Sequence, residues 1–312
     1  MPSEILHSNV QQIGGNIAVS ALRDNGLTIL VTGIVRNVAS TIERDVFVIQ
    51  RALSDFHTVK WFLVESDSED KTVDQLSKIS LTNKNFKFTS LGSIQNSVLP
   101  RTVGMAKARN RYLQELKEST EYQSVDILAV SDFNGLNRKL TQDSVASCFD
   151  MDSWDACFAN QSGRYYDIWA LRHPIWSPND CWQQHAFYRK YYKIPEFALA
   201  ASLKSRMIRI PRKSDWIEVD SAFGGFALYR SDAIGNAIYE GLTAEGIAIC
   251  EHVPFHSEMR KNQKRLFINP AMINTKSTDH IFRMNVFSTV IRLAKYPMKI
   301  TKVLLAKFQS QK

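Results

Sequence analysis

The sequence is poor in cysteine, with four in 312 residues: Cys148, Cys157, Cys181 and Cys250. None stands in a C-x-x-C pair or at a zinc-like spacing, so neither a disulfide scaffold nor a cysteine metal site is expected. The four read as reduced, mostly buried thiols in a cytosolic setting. Long apolar runs are missing as well. No segment approaches the roughly 18 to 20 residues needed to span a bilayer, so an integral membrane protein is not expected. Met1-Pro2-Ser3-Glu4 lacks a basic region followed by an apolar stretch, and no signal peptide is expected. Internal repeats and low-complexity linkers are absent. Acidic residues are absent from His280 to Lys312.

What is present is the composition of an ordinary globular protein, 44% apolar and 22% charged. The chain is long enough to bury a substantial core in one large α/β domain or two modest ones. A net charge of +8 and a pI near 9.2 point to an anionic partner: a phosphate-bearing substrate, an acidic lipid or a nucleic acid. No recognised nucleic-acid motif accompanies the charge, and no nucleic-acid partner is expected.

Residues 1–24 carry Ile5, Val10, Ile13 and Ile17 at approximate helical spacing and read as a helical lead-in. Leu27–Val35 is then a β-rich apolar run of the kind buried on both faces of a sheet. A helix follows with Val38, Ile42, Val46, Ile49 and Leu53 on one stripe. The unit repeats as a strand over 59–64 and a helix over about 70–81, then a strand over 86–89. Pro100 opens a helix over roughly 101–118, and Val125–Val130 forms a fourth strand ending at Ser131-Asp132. Such alternation predicts a parallel sheet with right-handed crossovers, whose ligands bind beyond the carboxyl ends of the strands. After residue 150 the alternation loosens. Residues 154–160 and 165–171 read as an antiparallel pair, 179–204 as helical, and 216–222 and 225–229 as strands around Gly224-Gly225.

Four polar clusters lie at strand ends or nearby. Thr32-Gly33-Ile34-Val35-Arg36-Asn37 offers Arg36 to a diphosphate or a base. Glu65-Ser66-Asp67-Ser68-Glu69-Asp70-Lys71-Thr72 caps the next helix through Asp70 or a Thr72…Gln75 box, which leaves Glu65, Asp67 and Ser68 unexplained. On the 101–118 helix Asn110 falls on the apolar stripe with Arg109 beside it; Asn110 either bonds a nearby backbone or, with Arg109, faces a ligand. Ser131-Asp132-Phe133-Asn134 sets a carboxylate two residues from a second oxygen donor, which suits Mn2+ or Mg2+ bound together with substrate phosphates. Asp and Asn are also ordinary turn residues.

The order V-T-G-I-V-R-N, V-E-S-D-S-E-D-K-T, R-T-V-G-M-A-K-A-R-N-R-Y-L and L-A-V-S-D-F-N resembles that of GT-A-fold glycosyltransferases. Within them it is similar to the group that includes the fungal capsule-associated mannosyltransferases. The later Val219–Tyr229 and Cys250–His256 segments fit the same order, so the resemblance spans roughly residues 27–272. It implies a GT-A-like, Rossmann-like α/β domain over 1–280 with a mostly parallel central sheet. The nucleotide-binding half would cover about 25–135 and a smaller antiparallel acceptor half about 136–280.

By the same resemblance, Thr32, Gly33, Arg36, Glu65, Asp67, Ser68, Arg109, Asn110 and Ser131 would bind the nucleotide sugar, and Asp132 would anchor the metal. Gly224 and Gly225 would line the donor sugar. The family's D-x-D is D-F-N here, so Asn134 is a neutral donor and His256 is expected to supply a further metal ligand. Glu251 is the expected general base, with Asp220 a competing carboxylate; the alternative is that Glu251-His252 merely starts a helix. The expected activity is transfer of a hexose from a nucleotide-diphosphate sugar to a saccharide or lipid-linked saccharide in surface-glycan assembly. A sugar nucleotidyltransferase would carry a glycine-rich loop after the first strand, where this chain has Gly33 alone. A non-catalytic binding or scaffold protein is the alternative that the lost carboxylate leaves open.

The 154–192 stretch holds four of the six tryptophans. Its rings suit stacking on sugar faces, and Trp169, with Asp167 and Asp180, is expected on the acceptor side. Over 281–312, lysines and arginines alternate with apolar residues around Pro297, as in an amphipathic segment for an anionic membrane surface. The expected location is cytoplasmic, peripheral at the inner face of a membrane.

Overall fold

A computed structural model of the chain describes residues 26–95, 99–192 and 195–276. The lead-in over 1–24 and the basic tail over 281–312 lie outside the described residues. No helix among the described residues is long and apolar enough to cross a membrane.

The first half is the alternating unit that the hydrophobic pattern predicts. Strand β1 (Thr28–Val35) is buried at every position but Ile34, because it is central in the sheet and covered on both faces. β2 (Thr58–Glu65) and β4 (Ile127–Ser131) flank it, both parallel, and β3 (Phe86–Ser90) extends the sheet beside β2. Helices α1 (Ile42–Ala52), α2 (Thr72–Thr82) and α3 (Arg101–Glu118) make the crossovers. The stripe Val38, Ile42, Val46, Ile49 and Leu53 is wholly buried.

Beyond β4 the sheet becomes mixed. Its order is β3-β2-β1-β4-β7-β5-β8-β6, with β5 (Ala156–Gln161), β6 (Ile217–Glu218), β7 (Phe226–Arg230) and β8 (Leu266–Thr275). β7 runs antiparallel to both β4 and β5. The helices of this half are α4 (Gln142–Ala146), α5 (Cys181–Tyr191), α6 (Pro195–Ser202), α7 (Ser231–Ile234) and α8 (His252–Lys261). The α/β class, with a mostly parallel first half and antiparallel pairing in the second, is the one expected. The four cysteines are free and buried.

Three elements differ from the sequence reading, and the first is the strand expected over 216–222, which shortens to β6, Ile217–Glu218. Residues 165–171 form no strand and no hairpin with β5. Both edges of β5 are taken, by β7 on one side and β8 on the other, so 165–171 wraps across the sheet end with isolated bridges from Arg164 to Arg209 and from Arg172 to Ser221. β8 escapes sequence reading because Asn269, Pro270 and Asn274 look like loop. Its pairing with β5 shifts register between Phe158 and Asn160, and at that irregularity Asn160 donates its amide to the carbonyls of Pro270 and Ile210, both at 3.0 Å. A bulge is where a strand tolerates proline.

Candidate functional site

The carboxyl end of β4 delivers Asp132, and the antiparallel β4–β7 ladder decides what stands beside it. Ser131 pairs with Phe226, so the turn before β7 lies against the residue after β4, and Asp132 N–H donates to the Gly225 carbonyl at 3.0 Å. Gly224 and Gly225 have φ of +71° and +86°, a region costly for residues with a Cβ. A Cβ on Gly224 would stand 2.5 Å from the Ala159 carbonyl oxygen, and one on Gly225 2.7 Å from the Tyr166 hydroxyl. The Gly224 N–H donates to Asp167 Oδ2 at 3.0 Å. The turn therefore ties Asp132 and Asp167 to one spot.

Arg109 reaches the same spot from α3. It is 1% exposed: its Nε donates to Glu251 Oε1 at 2.8 Å, and its Nη2 lies 3.8 Å from Asp132 Oδ1. Its guanidinium stands 5.3 Å from the Phe223 ring centroid and 5.6 Å from that of Tyr239, and Nη1 is 3.4 Å from the Tyr112 hydroxyl. Removing a guanidinium from water is costly unless charge and hydrogen bonds replace the water. Here the carboxylates and the ring faces do so.

Asp132 keeps 35% of its side chain accessible. Its carboxyl is pushed up to about 7, chiefly by desolvation and secondarily by Asp167 and Glu251, against the pull of Arg109 and Arg101. Asp167 is also raised, by burial first and by repulsion from Glu251, while N–H donors of Gly224 and Ala170 and the Arg109 charge oppose the shift. The product is one buried cation among three carboxyls at the end of β4, with Asp132 the member whose charge changes near neutrality.

A set of amides that the sequence reading passed over holds this arrangement. Asn137 Nδ2 donates to Ser131 Oγ at 2.9 Å and to the Asp132 carbonyl at 3.0 Å. Asn274 Nδ2 donates to Asn137 Oδ1 and to the Gly224 carbonyl, both at 2.8 Å, and Gln161 Nε2 donates to the same carbonyl at 3.2 Å. Asp45, buried on α1, takes the Gly135 N–H at 2.9 Å and fixes the far side of the loop. Sequence signalled these only as polar residues in or beside apolar runs.

The remaining expected site residues divide sharply. Thr32 is buried in mid-strand with its hydroxyl donated to the Phe62 carbonyl at 2.7 Å, and Gly33 is a packing glycine whose added Cβ would meet the Ser131 carbonyl oxygen at 2.2 Å. Glu65 is buried and accepts the Ser68 N–H at 3.0 Å and the Ser90 hydroxyl. Asp67, at φ +57°, accepts the N–H groups of Ile94 and Gln95, each at 2.9 Å. Ser68 Oγ accepts the Asn37 N–H at 3.1 Å. These groups lace the loops after β1, β2 and β3 together, leaving Arg36 as the exposed side chain among them. Asn110 makes two bonds to the Tyr239 backbone, at 2.8 and 2.9 Å, so it is the backbone-bonded alternative that holds, and Arg109 is the residue on the buried stripe.

His256 does not fit the metal role expected of it. It is fully buried, its Nδ1 is 2.8 Å from Ser221 Oγ and its Nε2 2.8 Å from Tyr229 Oη, so neither nitrogen faces an ion. Burial and then the Arg109 charge push its pKa down to about 3. Asp180 is likewise spent: it caps α5 by accepting the N–H groups of Trp182 and Gln183 at 2.9 and 3.0 Å, pairs with Arg172 Nη2 at 2.7 Å and accepts the Trp169 indole N–H at 3.1 Å. Of the two base candidates, Asp220 is exposed and faces a separate recess of about 460 Å³, where it lies 3.5 Å from Arg260. Glu251 stands at the start of α8 and also inside the Arg109 cluster, so helix start and site coincide.

Among the described residues no group of three or more His, Cys, Asp or Glu side chains is placed to hold a metal ion. Asp132 and the exposed Asn134 are hard oxygen donors. One carboxylate with open coordination positions fits Mn2+ or Mg2+ shared with substrate phosphates, and does not fit an all-protein metal cage.

No protein-family profile and no curated protein sequence matches the chain. Several solved structures show partial likeness. The mannosyltransferase PcManGT from Pyrobaculum calidifontis, in complex with GDP-Man and Mn2+, is 12% identical at a TM-score of 0.46, over 80% of this chain and 56% of that one. S. aureus TarS 1-349 in complex with UDP is 15% identical at a TM-score of 0.47, over 82% and 63% respectively. Glucosyl-3-phosphoglycerate synthase from Mycobacterium tuberculosis, with Mn2+, UDP and phosphoglyceric acid, is 14% identical at a TM-score of 0.42, over 83% and 71%. The chain thus spans 56% and 63% of the length of the first two.

Proposed function

We propose that the chain is a glycosyltransferase moving a hexose from a nucleotide-diphosphate sugar to a saccharide or lipid-linked saccharide in surface-glycan synthesis. The observation that carries this reading is the gathering of Asp132, Asp167, Glu251 and Arg109 at the carboxyl end of β4, against a tightly packed Gly-Gly turn. That location is where open α/β sheets bind ligands, and the glycines let Ala159 and Tyr166 pack directly on the turn that positions Asp132 and Asp167. Arg36 is available to the diphosphate. Asp132, with Asn134, would hold Mn2+ or Mg2+ against the phosphates, and the ion supplies neutralisation of the departing nucleoside diphosphate. Asp167 and Glu251 are the carboxylates available to take the proton from an acceptor hydroxyl. Glu251 is buried on Arg109 and would have to release that pair to do so, whereas Asp167 is half-buried.

The test is thermal stabilisation by UDP-, GDP- and CMP-sugars with and without Mn2+, for the wild type and Asp132→Ala. Metal-dependent stabilisation by one nucleotide class, lost in the variant, is expected. Silence across the panel would favour a non-catalytic scaffold, and full retention in Asp132→Ala would remove that residue from the site.

A further inference from the structure

We propose that the α5–α6 hairpin is an interfacial anchor that docks the protein on an anionic lipid bilayer. A surface helix normally hides one apolar stripe against its own domain. α5 hides a single residue, Cys181. Its large rings point outward: Phe187 and Tyr191 are each 60% exposed and Trp182 43%, and Phe197 on α6 is 46% exposed. Phe187 and Tyr191 touch at 4.8 Å between ring centroids, and Tyr188 and Tyr192 at 5.2 Å, so the rings form a contiguous surface. Patches of this kind mark interaction sites.

The hairpin is held firmly at its base. Arg206 Nη1 donates to Ser177 Oγ at 2.8 Å and to the Asn179 carbonyl at 2.9 Å, its Nη2 reaches Gln184, and the Trp176 indole donates to the Arg206 carbonyl at 2.7 Å. Together with the Asp180 cap, these bonds set a rigid platform under a solvent-facing aromatic crest.

Charge selects the occupant. Arg189 and Lys190 sit in the last turn of α5 among the rings, both exposed, and α5 and α6 together carry one acidic residue, Glu196. Amphipathic rings with interleaved cations match the headgroup zone of an anionic membrane, where the ring bodies enter the acyl boundary and the polar tips stay wet. A neutral glycan would call for carboxylates beside the rings to take its hydroxyl protons, and the segment offers cations instead. The inference does not rest on the glycosyl-transfer reading, since the membrane contact is measured without turnover.

The experiment is co-sedimentation of the full chain with sucrose-loaded vesicles, of phosphatidylcholine alone and of phosphatidylcholine with phosphatidylglycerol. Binding to the anionic vesicles is expected, and the triple variant Phe187→Ser, Tyr191→Ser, Phe197→Ser should lose roughly tenfold or more in affinity with an unchanged urea midpoint. Arg189→Gln with Lys190→Gln should weaken binding to the anionic vesicles alone. Wild-type binding that both variants retain but truncation of 281–312 abolishes would overturn the proposal. So would a wild type that sediments with neither vesicle.

Discussion

Glu251→Gln is the perturbation that most directly probes the site's electrostatic frame. The change preserves shape and leaves an oxygen to accept from Arg109 Nε, but it removes the charge 2.8 Å from a guanidinium that is 1% exposed. Two effects add. A charge-assisted hydrogen bond worth about 1.5–3 kcal/mol becomes an ordinary one worth about 1 kcal/mol. A buried cation also loses its nearest counter-charge, a loss that costs about 3–5 kcal/mol when nothing compensates. Asp132, 3.8 Å from Nη2, takes over part of that burden, so the net destabilisation should be about 2–4 kcal/mol. Urea unfolding at a pH above the Asp132 titration should show a lower midpoint at an unchanged slope. The Asp132 carboxyl, followed by NMR, should titrate lower than in the wild type, because one repelling carboxylate is gone and Arg109 is freer to pair with it. A stability loss under about 0.5 kcal/mol, within the ordinary range of a surface change, would refute the reasoning. The double variant Arg109→Met, Glu251→Leu should be more stable than either single one, since exchanging a whole buried pair for apolar groups is often neutral.

Asp132→Asn tests the raised carboxyl. A group with a folded pKa near 7 against 3.8 when free binds its proton more tightly in the fold. The associated stability is complete below pH 3.8 and lost as pH rises through about 7, so the metal-free variant should gain about 1 kcal/mol over the wild type at alkaline pH after allowing for solvent screening. Flat difference curves from parallel urea titrations across that range would count against it. Gly224→Ala should cost about 2–4 kcal/mol through its positive φ and the backbone oxygen in the way. It should also weaken any nucleotide-sugar stabilisation seen in the wild type, both readable by thermal shift.

The first half of the fold was legible because its cause is local. β1, β2, β4 and the α1 stripe announce themselves through residues that must be buried on both faces or on one, and Pro100 marks the start of α3. The second half was less legible, since which strand pairs with which is a long-range choice. Residues 165–171 have a strand's composition but find both edges of β5 occupied, and β8 reads as loop although a bulge admits its proline. At the candidate site, the position of Asp132 at a strand end was visible from its place after an apolar run. His256 was not readable as core: its partners Ser221 and Tyr229 lie 35 and 27 residues away in the chain, and a histidine's role is set by what its two nitrogens meet.

The sequence by itself determined where helices and strands form in the first half, that the strand ends carry the polar residues, and that Asp132 emerges at one of them. Only the tertiary structure decided which polar residues meet. The antiparallel β4–β7 ladder sets Gly225 against Asp132 across more than ninety residues of chain, and the sheet order gathers Asp132, Asp167 and Glu251 around the buried Arg109 charge. Periodicity encodes burial, a property of each segment alone. A guanidinium finds its carboxylates only when the sheet order has brought their elements together, because the charge-assisted hydrogen bonds that pair them need donor and acceptor within about 3 Å.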